Sequence, residues 1–391
     1  MYLAYTPEQQ DFVKGLRAYF GQLMTPEIRA DMAQGELGGD SYKKLVRQLG
    51  ADHWLGLTWP KEYGGQGRPL MDQYLFFDES QRAGVPVPFL TTNTVGPTIM
   101  AFGTEAQKQF FLPKILAGEL HFSIGYSEPG AGTDLAALRT RAVRDGDSYI
   151  INGSKMWTSL INHADYVWLA CRTDPDAPRH KGLSIIIVPT DTPGFSWQPV
   201  HTIGGGYTSA TFYEDVRVPV ENVILGENEG WKLITNQLNA ERVALSSAGM
   251  IESKVEAVRA WAQQTTRADG TRVIDQEWVQ MSLARLHAKV EFLKLLNWKV
   301  ATSATAGTLK PEDASTVKVF GSELYIEAYR ALMEIMGEPA TLKAGSPGAL
   351  LNADIERAYR NTLVLTFGGG TNEIQRDIVA MLGLGLPRSP R

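Results

Sequence analysis

The spacing of apolar residues changes twice along this chain, and that change limits the fold more than any other feature. Across residues 7 to about 119 the spacing is helical: Phe12, Leu16, Tyr19 and Leu23 recur at intervals of 4, 3 and 4. Thr6-Pro7-Glu8-Gln9 supplies a cap residue, a first-turn proline and an early acid, which together start a helix. From 121 to about 225 the pattern reads as strands. Tyr149-Ile-Ile, Tyr166-Val-Trp-Leu, Leu183-Ser-Ile-Ile-Ile-Val and Val216-Arg-Val are short and rich in β-branched residues, with turn residues at Arg144-Asp-Gly-Asp and Gly204-Gly-Gly. From 229 onward long helices return, with few Gly or Pro before Gly337, and 340–348 reads as a loop. Strands between two helical zones, without βαβ alternation, argue against a doubly wound nucleotide fold. The expectation is an α+β chain in three domains: helical at 1–120, β at 121–226 and helical again at 227–391.

Composition removes other classes. The formal charge of −5 argues against a nucleic-acid surface. No run of about 18 apolar residues is present to span a membrane. The one cysteine, Cys171, forbids an intramolecular disulfide and favours a reducing, cytoplasmic setting. It ends the apolar run Tyr166-Val-Trp-Leu-Ala-Cys171, which reads as a buried strand with an inert thiol. The start, Met-Tyr-Leu-Ala-Tyr-Thr-Pro-Glu, has neither the basic region nor the long apolar stretch of a signal peptide. The six histidines show no metal-ligand spacing.

Glu241 is the residue whose position most needs a chemical reason. On the helix starting near 229, Trp231, Ile234, Leu238 and Leu245 fall on one face at intervals of 3, 4 and 7. Glu241 lies three residues after Leu238 and four before Leu245, inside the apolar stripe. A carboxylate there must be paired, protonated or functional. Desolvation would raise its pKa, which suits a base working near neutral pH. The alternative is a basic partner from another helix. Arg242 points about 100° away and is poorly aimed for that role.

A second constellation is Tyr126-Ser-Glu-Pro-Gly-Ala-Gly-Thr-Asp134, followed by Asn152-Gly-Ser-Lys-Met-Trp157-Thr-Ser159. Gly130 and Gly132 let backbone N–H groups approach a ligand, and Ser127, Thr133 and Ser159 offer hydroxyls. Trp157 provides a flat apolar face suited to a planar ring. A purely structural Gly-turn and strand tryptophan remains open on these residues alone. The segment is no dinucleotide fingerprint, lacking the preceding strand, third glycine and following helix.

These two segments resemble the flavin-binding signature of the acyl-CoA dehydrogenase family. Further family-like pieces follow in order: Pro60-Lys-Glu-Tyr-Gly-Gly-Gln-Gly67, Gly103 through Glu119, Glu214-Asp-Val-Arg-Val-Pro219, Asn222-Val-Ile-Leu-Gly226 and Gly370-Thr-Asn-Glu-Ile-Gln-Arg376. The resemblance covers nearly the whole chain, and the pieces are jointly specific. It implies the same three-domain order, with a C-terminal domain like a four-helix bundle, and FAD as cofactor. Tyr126, Ser127, Gly132 and Thr133 would line the flavin edge, Trp157 would pack on the ring and Ser159 would approach N5. Thr371 and Glu373 would touch the nucleotide part. Glu128 and Asp134 would fix the loop. The family's base stands at one of two positions; the C-terminal one is Gly369 here, while Leu238-Asn-Ala-Glu241-Arg242 matches the isovaleryl- and long-chain-type position. The implied reaction is α,β-dehydrogenation of an acyl-CoA, Glu241 taking the α proton while the β hydrogen leaves as hydride to flavin N5. Thr133, Arg242 and Gly369 are expected at the substrate, the Gly369 backbone N–H stabilising the enolate oxygen. An electron-transfer flavoprotein or similar acceptor would take the electrons.

Two segments depart from the family. Thr266-Arg-Ala-Asp-Gly270 has Asp269 where an aromatic residue should reach a neighbouring subunit's FAD. Glu334-Ile-Met-Gly337-Glu338 replaces a Gln-x-x-Gly-Gly motif, with a carboxylate where a pyrophosphate would lie. The chain thus resembles a subunit of the actinobacterial heterotetrameric acyl-CoA dehydrogenases of steroid side-chain breakdown, completed by a related but different subunit. A homo-oligomer in which Arg267 compensates stays open. So do a non-catalytic partner subunit and a flavin oxidase or monooxygenase on the same fold.

Overall fold

The computed structural model describes residues 4–32, 39–241 and 246–388. Among the described residues, six α-helices come first: α1 (Pro7–Leu23), α2 (Pro26–Met32), α3 (Gly39–Ala51), α4 (Leu70–Ala83), α5 (Gly96–Phe102) and α6 (Glu105–Leu116). A π-helical turn, Leu90–Val95, leads into α5. The Thr6 side chain and Gln9 form a reciprocal capping box at the start of α1, satisfying two otherwise orphaned N–H groups. Leu16 and Phe20 are buried, with Phe12, Tyr19 and Leu23 packed on the same cluster.

Seven strands follow: β1 (Phe122–Gly125), β2 (Arg141–Asp145), β3 (Ser148–Met156), β4 (Tyr166–Arg172), β5 (Leu183–Pro189), β6 (Phe195–His201) and β7 (Tyr207–Pro219). They form one sheet in the order β1-β4-β2-β3-β7-β6, with β5 pairing β4. β1 and β2 run parallel to β4, and the remaining pairs are antiparallel. The apolar runs of β4 and β5 do not alternate because both faces are covered. Trp168, Ala170, Ile185 and Ile187 join a cluster with Ile99 of α5, Leu112 of α6 and the following helix's Leu233. Val167, Leu169, Cys171, Ile186 and Val188 face Tyr149, Tyr213 and Val216. Burial pushes the Cys171 thiol up to about 12, so it is inert at neutral pH.

The last zone contains α7 (Gly230–Glu241), α8 (Ala248–Gln264), α9 (Glu277–Thr305), α10 (Pro311–Met336), α11 (Asp354–Thr362) and α12 (Asn372–Ile378). Ile251 and Val258 of α8, Leu286 and Leu293 of α9, and Leu324 and Leu332 of α10 share one core. α4 reaches into this bundle. Its buried Asp78 accepts hydrogen bonds from the Ser247 hydroxyl at 2.7 Å and the Gly249 amide at 3.0 Å, capping α8. A Cβ at Gly249 would lie 2.6 Å from the Asp78 carbonyl, so glycine is required by this approach.

Three differences from the sequence reading have physical causes. β6 is mostly exposed and carries Pro199, so it has no apolar pattern; an edge strand tolerates proline. β7 starts well before the Val216 run because pairing with β3 and β6 extends it. Trp157, read as a strand tryptophan, stands one residue beyond β3 with φ +66°.

Candidate active site

The segment after β1 folds back on itself through two backbone bonds between Glu128 and Ala131, at 2.9 and 3.0 Å. The Glu128 carboxylate then ties it to the sheet. It accepts from the amides of Arg139 (2.7 Å) and Thr140 (2.9 Å) and from the Lys155 ammonium (2.8 Å). Lys155, 1% exposed, also donates to the Tyr126 carbonyl at 3.0 Å. Burial raises the Glu128 carboxyl, but Lys155 and Thr140 outweigh it and hold the group below the ordinary value. Burial pushes the Lys155 ammonium down while Glu128 pulls it back. Glu128 therefore fixes the loop, as expected. Asp134 is exposed and pairs with Arg179 at 2.9 Å.

What the loop presents is open. Gly130 and Gly132 are exposed, and a Cβ at either would meet nothing within 4 Å. The chain's own packing does not require glycine there; the missing side chains leave backbone N–H groups accessible. The Ser127 carbonyl accepts from the Met156 amide at 2.8 Å, joining the loop to the end of β3. Just beyond, the Trp157 indole is 56% exposed on a left-handed backbone. The Thr158 amide anchors that turn to the Ser209 carbonyl at 2.9 Å. Ser159 shares a hydrogen bond with Thr208 at 2.9 Å, and its carbonyl accepts from the Ser123 hydroxyl at 2.9 Å. Thr133 is exposed. An exposed indole, open glycine backbone and nearby hydroxyls fit a planar group rich in hydrogen-bonding atoms, as a flavin is.

This surface meets α7 through Tyr126. Its hydroxyl donates to the Gln237 amide oxygen and accepts from the Trp168 indole N–H at 3.2 Å. Gln237 is 1% exposed, and its amide nitrogen has no protein partner among the described residues. Glu241 closes α7 one turn later, about 5–6 Å along the axis. The Glu241 side chain lies outside the described residues, as do Arg242 and Leu245. A cavity of about 350 Å³ opens between α4, the 90–95 turn, α9 and the Ser246-Ser247 segment that precedes α8. Its walls include Leu70, Tyr74, Phe77, Asn93, Ser246 and Asn297.

The other expected residues gather at the start of α12. Gly369 and Gly370 both adopt left-handed backbone, φ +68° and +91°. A Cβ at Gly370 would lie 2.7 Å from the Gln375 amide nitrogen. Thr371 caps α12, accepting from the Ile374 amide at 3.3 Å, and Glu373 is exposed in the first turn. Beneath them sits Lys318 of α10, 3% exposed, donating to the Gly370 carbonyl at 2.6 Å and the Asn372 amide oxygen at 2.7 Å. Burial pushes its ammonium down to about 8, against the pull of Glu373 and Glu323. Asp269 and Glu338 are both exposed; Asp269 accepts from the Thr271 amide (2.9 Å) and hydroxyl (2.6 Å) and pairs with Arg267 at 3.4 Å.

Sequence reasoning missed Gln237, Lys155 and Lys318. For Lys318 a signal existed: buried Ala314, Val317, Gly321 and Leu324 surround it at helical spacing, so it breaks an apolar stripe as Glu241 does.

Three family models match the chain: the acyl-CoA dehydrogenase N-terminal domain at 6–119, the middle domain at 123–216 and the C-terminal domain at 228–384. The chain is 61% identical to acyl-CoA dehydrogenase FadE26 of Mycobacterium tuberculosis over the full length of both. Among solved structures it resembles a chain of the ChsE4–ChsE5 complex from Mycobacterium tuberculosis, with TM-score 0.94, 61% identity and complete coverage of both chains. It also resembles a chain of the Tcur3481–Tcur3483 steroid ACAD, with TM-score 0.94, 52% identity and complete coverage of both.

Proposed function

We propose that this chain, which belongs to the acyl-CoA dehydrogenase family, removes hydrogen from the α and β carbons of a bulky, steroid-like acyl-CoA, giving the trans-2-enoyl thioester. The chain is an oxidoreductase. The observation that carries it is the hydrogen bond from Tyr126 to Gln237. It joins the open glycine loop to α7 one turn before Glu241.

Tyr126, Ser127, Gly132, Thr133, Trp157 and Ser159 would hold the flavin, with Thr371 and Glu373 at the nucleotide. FAD, when bound, supplies the two-electron acceptor. Glu241 takes the α proton. A thioester α proton is a weak acid, so charge developing on the carbonyl oxygen needs a donor. The Gly369 N–H has no protein acceptor among the described residues and can provide one. Thr133 and Arg242 would contact the thioester and its carrier. The apolar wall of Leu70, Tyr74 and Phe77 suits a bulky acyl tail, and the Tcur3481–Tcur3483 relative is described as a steroid ACAD. Such chemistry belongs to side-chain or fatty-acid β-oxidation in the cytoplasm, with an electron-transfer flavoprotein or similar acceptor reoxidising the flavin.

Assembly with a related subunit completes the reading. The solved relative is a complex of ChsE4 with ChsE5. Here Trp278, Met281, Phe292 and Leu295 form an exposed apolar stripe on α9, the kind of surface that a partner covers.

The test is Glu241→Gln in the complex co-expressed with its related subunit. Retained FAD with dehydrogenation reduced by about 10³-fold is expected. Short, branched, long and steroid thioesters, assayed with an artificial acceptor, identify the acyl group. Turnover near wild type in Glu241→Gln would remove that residue as the base.

A further inference from the structure

Three consecutive glycines, 368–370, precede α12, and the last two adopt left-handed backbone. Glycine loses more freedom on ordering than any other residue, so such a run does not hold one shape by itself. Its N-terminal end is anchored by the Gly368 amide, which donates to the Val364 carbonyl at 2.7 Å. At its other end, among the described residues, one side chain bonds to the run: the ammonium of Lys318, 2.6 Å from the Gly370 carbonyl.

Lys318 has no simple structural excuse. It interrupts the apolar stripe of α10 and is 3% exposed. An ordinary buried cation sits against a carboxylate. Among the described residues no carboxylate lies within ion-pairing distance of Lys318; the nearby Glu323 is bound instead by Arg376 at 2.6 Å. The partners of Lys318 are a backbone carbonyl and the Asn372 amide oxygen at 2.7 Å. Asn372 is itself fixed, donating to the Ser322 hydroxyl at 3.0 Å and the Glu323 carboxylate at 3.2 Å. A desolvated charge is thus directed at the Gly370 carbonyl, in the peptide after Gly370, one residue on from Gly369, whose own N–H meets no protein acceptor among the described residues.

We propose that Lys318 is a positioning residue for the reaction: its ammonium holds the glycine turn in the one shape that presents the Gly369 N–H as the oxyanion donor. This rests on the reading of Gly369 given above. Removing Lys318 would leave the base and the flavin surface intact but let the donor wander, so loss should fall on the chemical step and not on binding.

The experiment compares Lys318→Met and Lys318→Arg with wild type in the co-expressed complex. Readouts are flavin content, kcat and KM, and the absorption spectrum with 3-thia analogues of octanoyl-CoA and a steroid-tailed acyl-CoA. These analogues lose an α proton without being oxidised, and the polarised enolate gives a long-wavelength band beside the flavin. Lys318→Met should keep its flavin and bind the analogue within about threefold, yet lose the band; kcat should fall about 10²-fold, as when one oxyanion donor is removed. Lys318→Arg should restore part of the band and rate. A Met variant that keeps both band and kcat within threefold overturns the proposal. If Lys318→Met does not assemble, Lys318→Gln is read in the same way; flavin lost together with activity in both makes Lys318 structural and also overturns it. If wild type neither forms the band nor turns over any thioester, the functional reading fails, whatever Lys318 does.

Discussion

Both ring nitrogens of His121 are buried without a protein partner among the described residues. Desolvation there pushes the imidazole down to about 4 from its ordinary value near 6.5. The native state therefore refuses a proton that the unfolded chain accepts between those values, and stability falls as pH drops through that window. Each pH unit inside it is worth about 1.4 kcal/mol. Wild type should lose on the order of 2 kcal/mol between pH 7 and 4.5 through this group, and His121→Phe should flatten that part of the slope. Urea midpoints at the two pH values measure it; an unchanged slope in the variant would clear His121. This scale is where the sequence was most uneven as a guide. The sequence singles out Glu241 because it falls within an apolar stripe, and Lys318 carried the same pattern unread. Gln237 and Lys155 carried none. An uncharged amide and a strand lysine become informative only once burial and partners are known.

Among elements, β4 and β5 were legible because covering both faces leaves an uninterrupted apolar run, and α1 because its cap and period agree. The contacts that join elements were not. Asp78 of α4 caps α8 from 169 and 171 residues away in sequence, and no local pattern encodes that. Its carboxyl is raised by burial although the Ser247 hydroxyl and Gly249 amide favour the charged form. Asp78→Ala strands both donors in the interior and should cost about 2–4 kcal/mol. Asp78→Asn keeps an acceptor oxygen and should cost about half as much. The comparison belongs to thermal unfolding of the flavin-loaded complex. Equal midpoints for Ala and wild type would mean that the cap does not hold α4 to the bundle.

For the whole molecule, the order helix, sheet, helix follows from period alone, whereas assembly depends on surfaces the chain does not bury by itself. Asp269 spends its hydrogen bonds locally on Thr271 and pairs with Arg267, so this arginine is engaged within its own turn. Glu338 is exposed at the end of α10. If a sister copy's pyrophosphate sat there, two negative groups would meet, a repulsion of about 1 kcal/mol per close pair even in water. A different subunit without that carboxylate removes the conflict, and the apolar stripe of Trp278, Met281, Phe292 and Leu295 gives it something to cover. The chain expressed alone should therefore carry well under one flavin per chain. Co-expression with the related subunit should give a complex in which flavins number about half the chains. Absorbance of the oxidised flavin against protein mass from light scattering measures both ratios. Full flavin occupancy and full activity in the chain alone would mean that Glu338 faces no nucleotide and that copies of this chain complete one another.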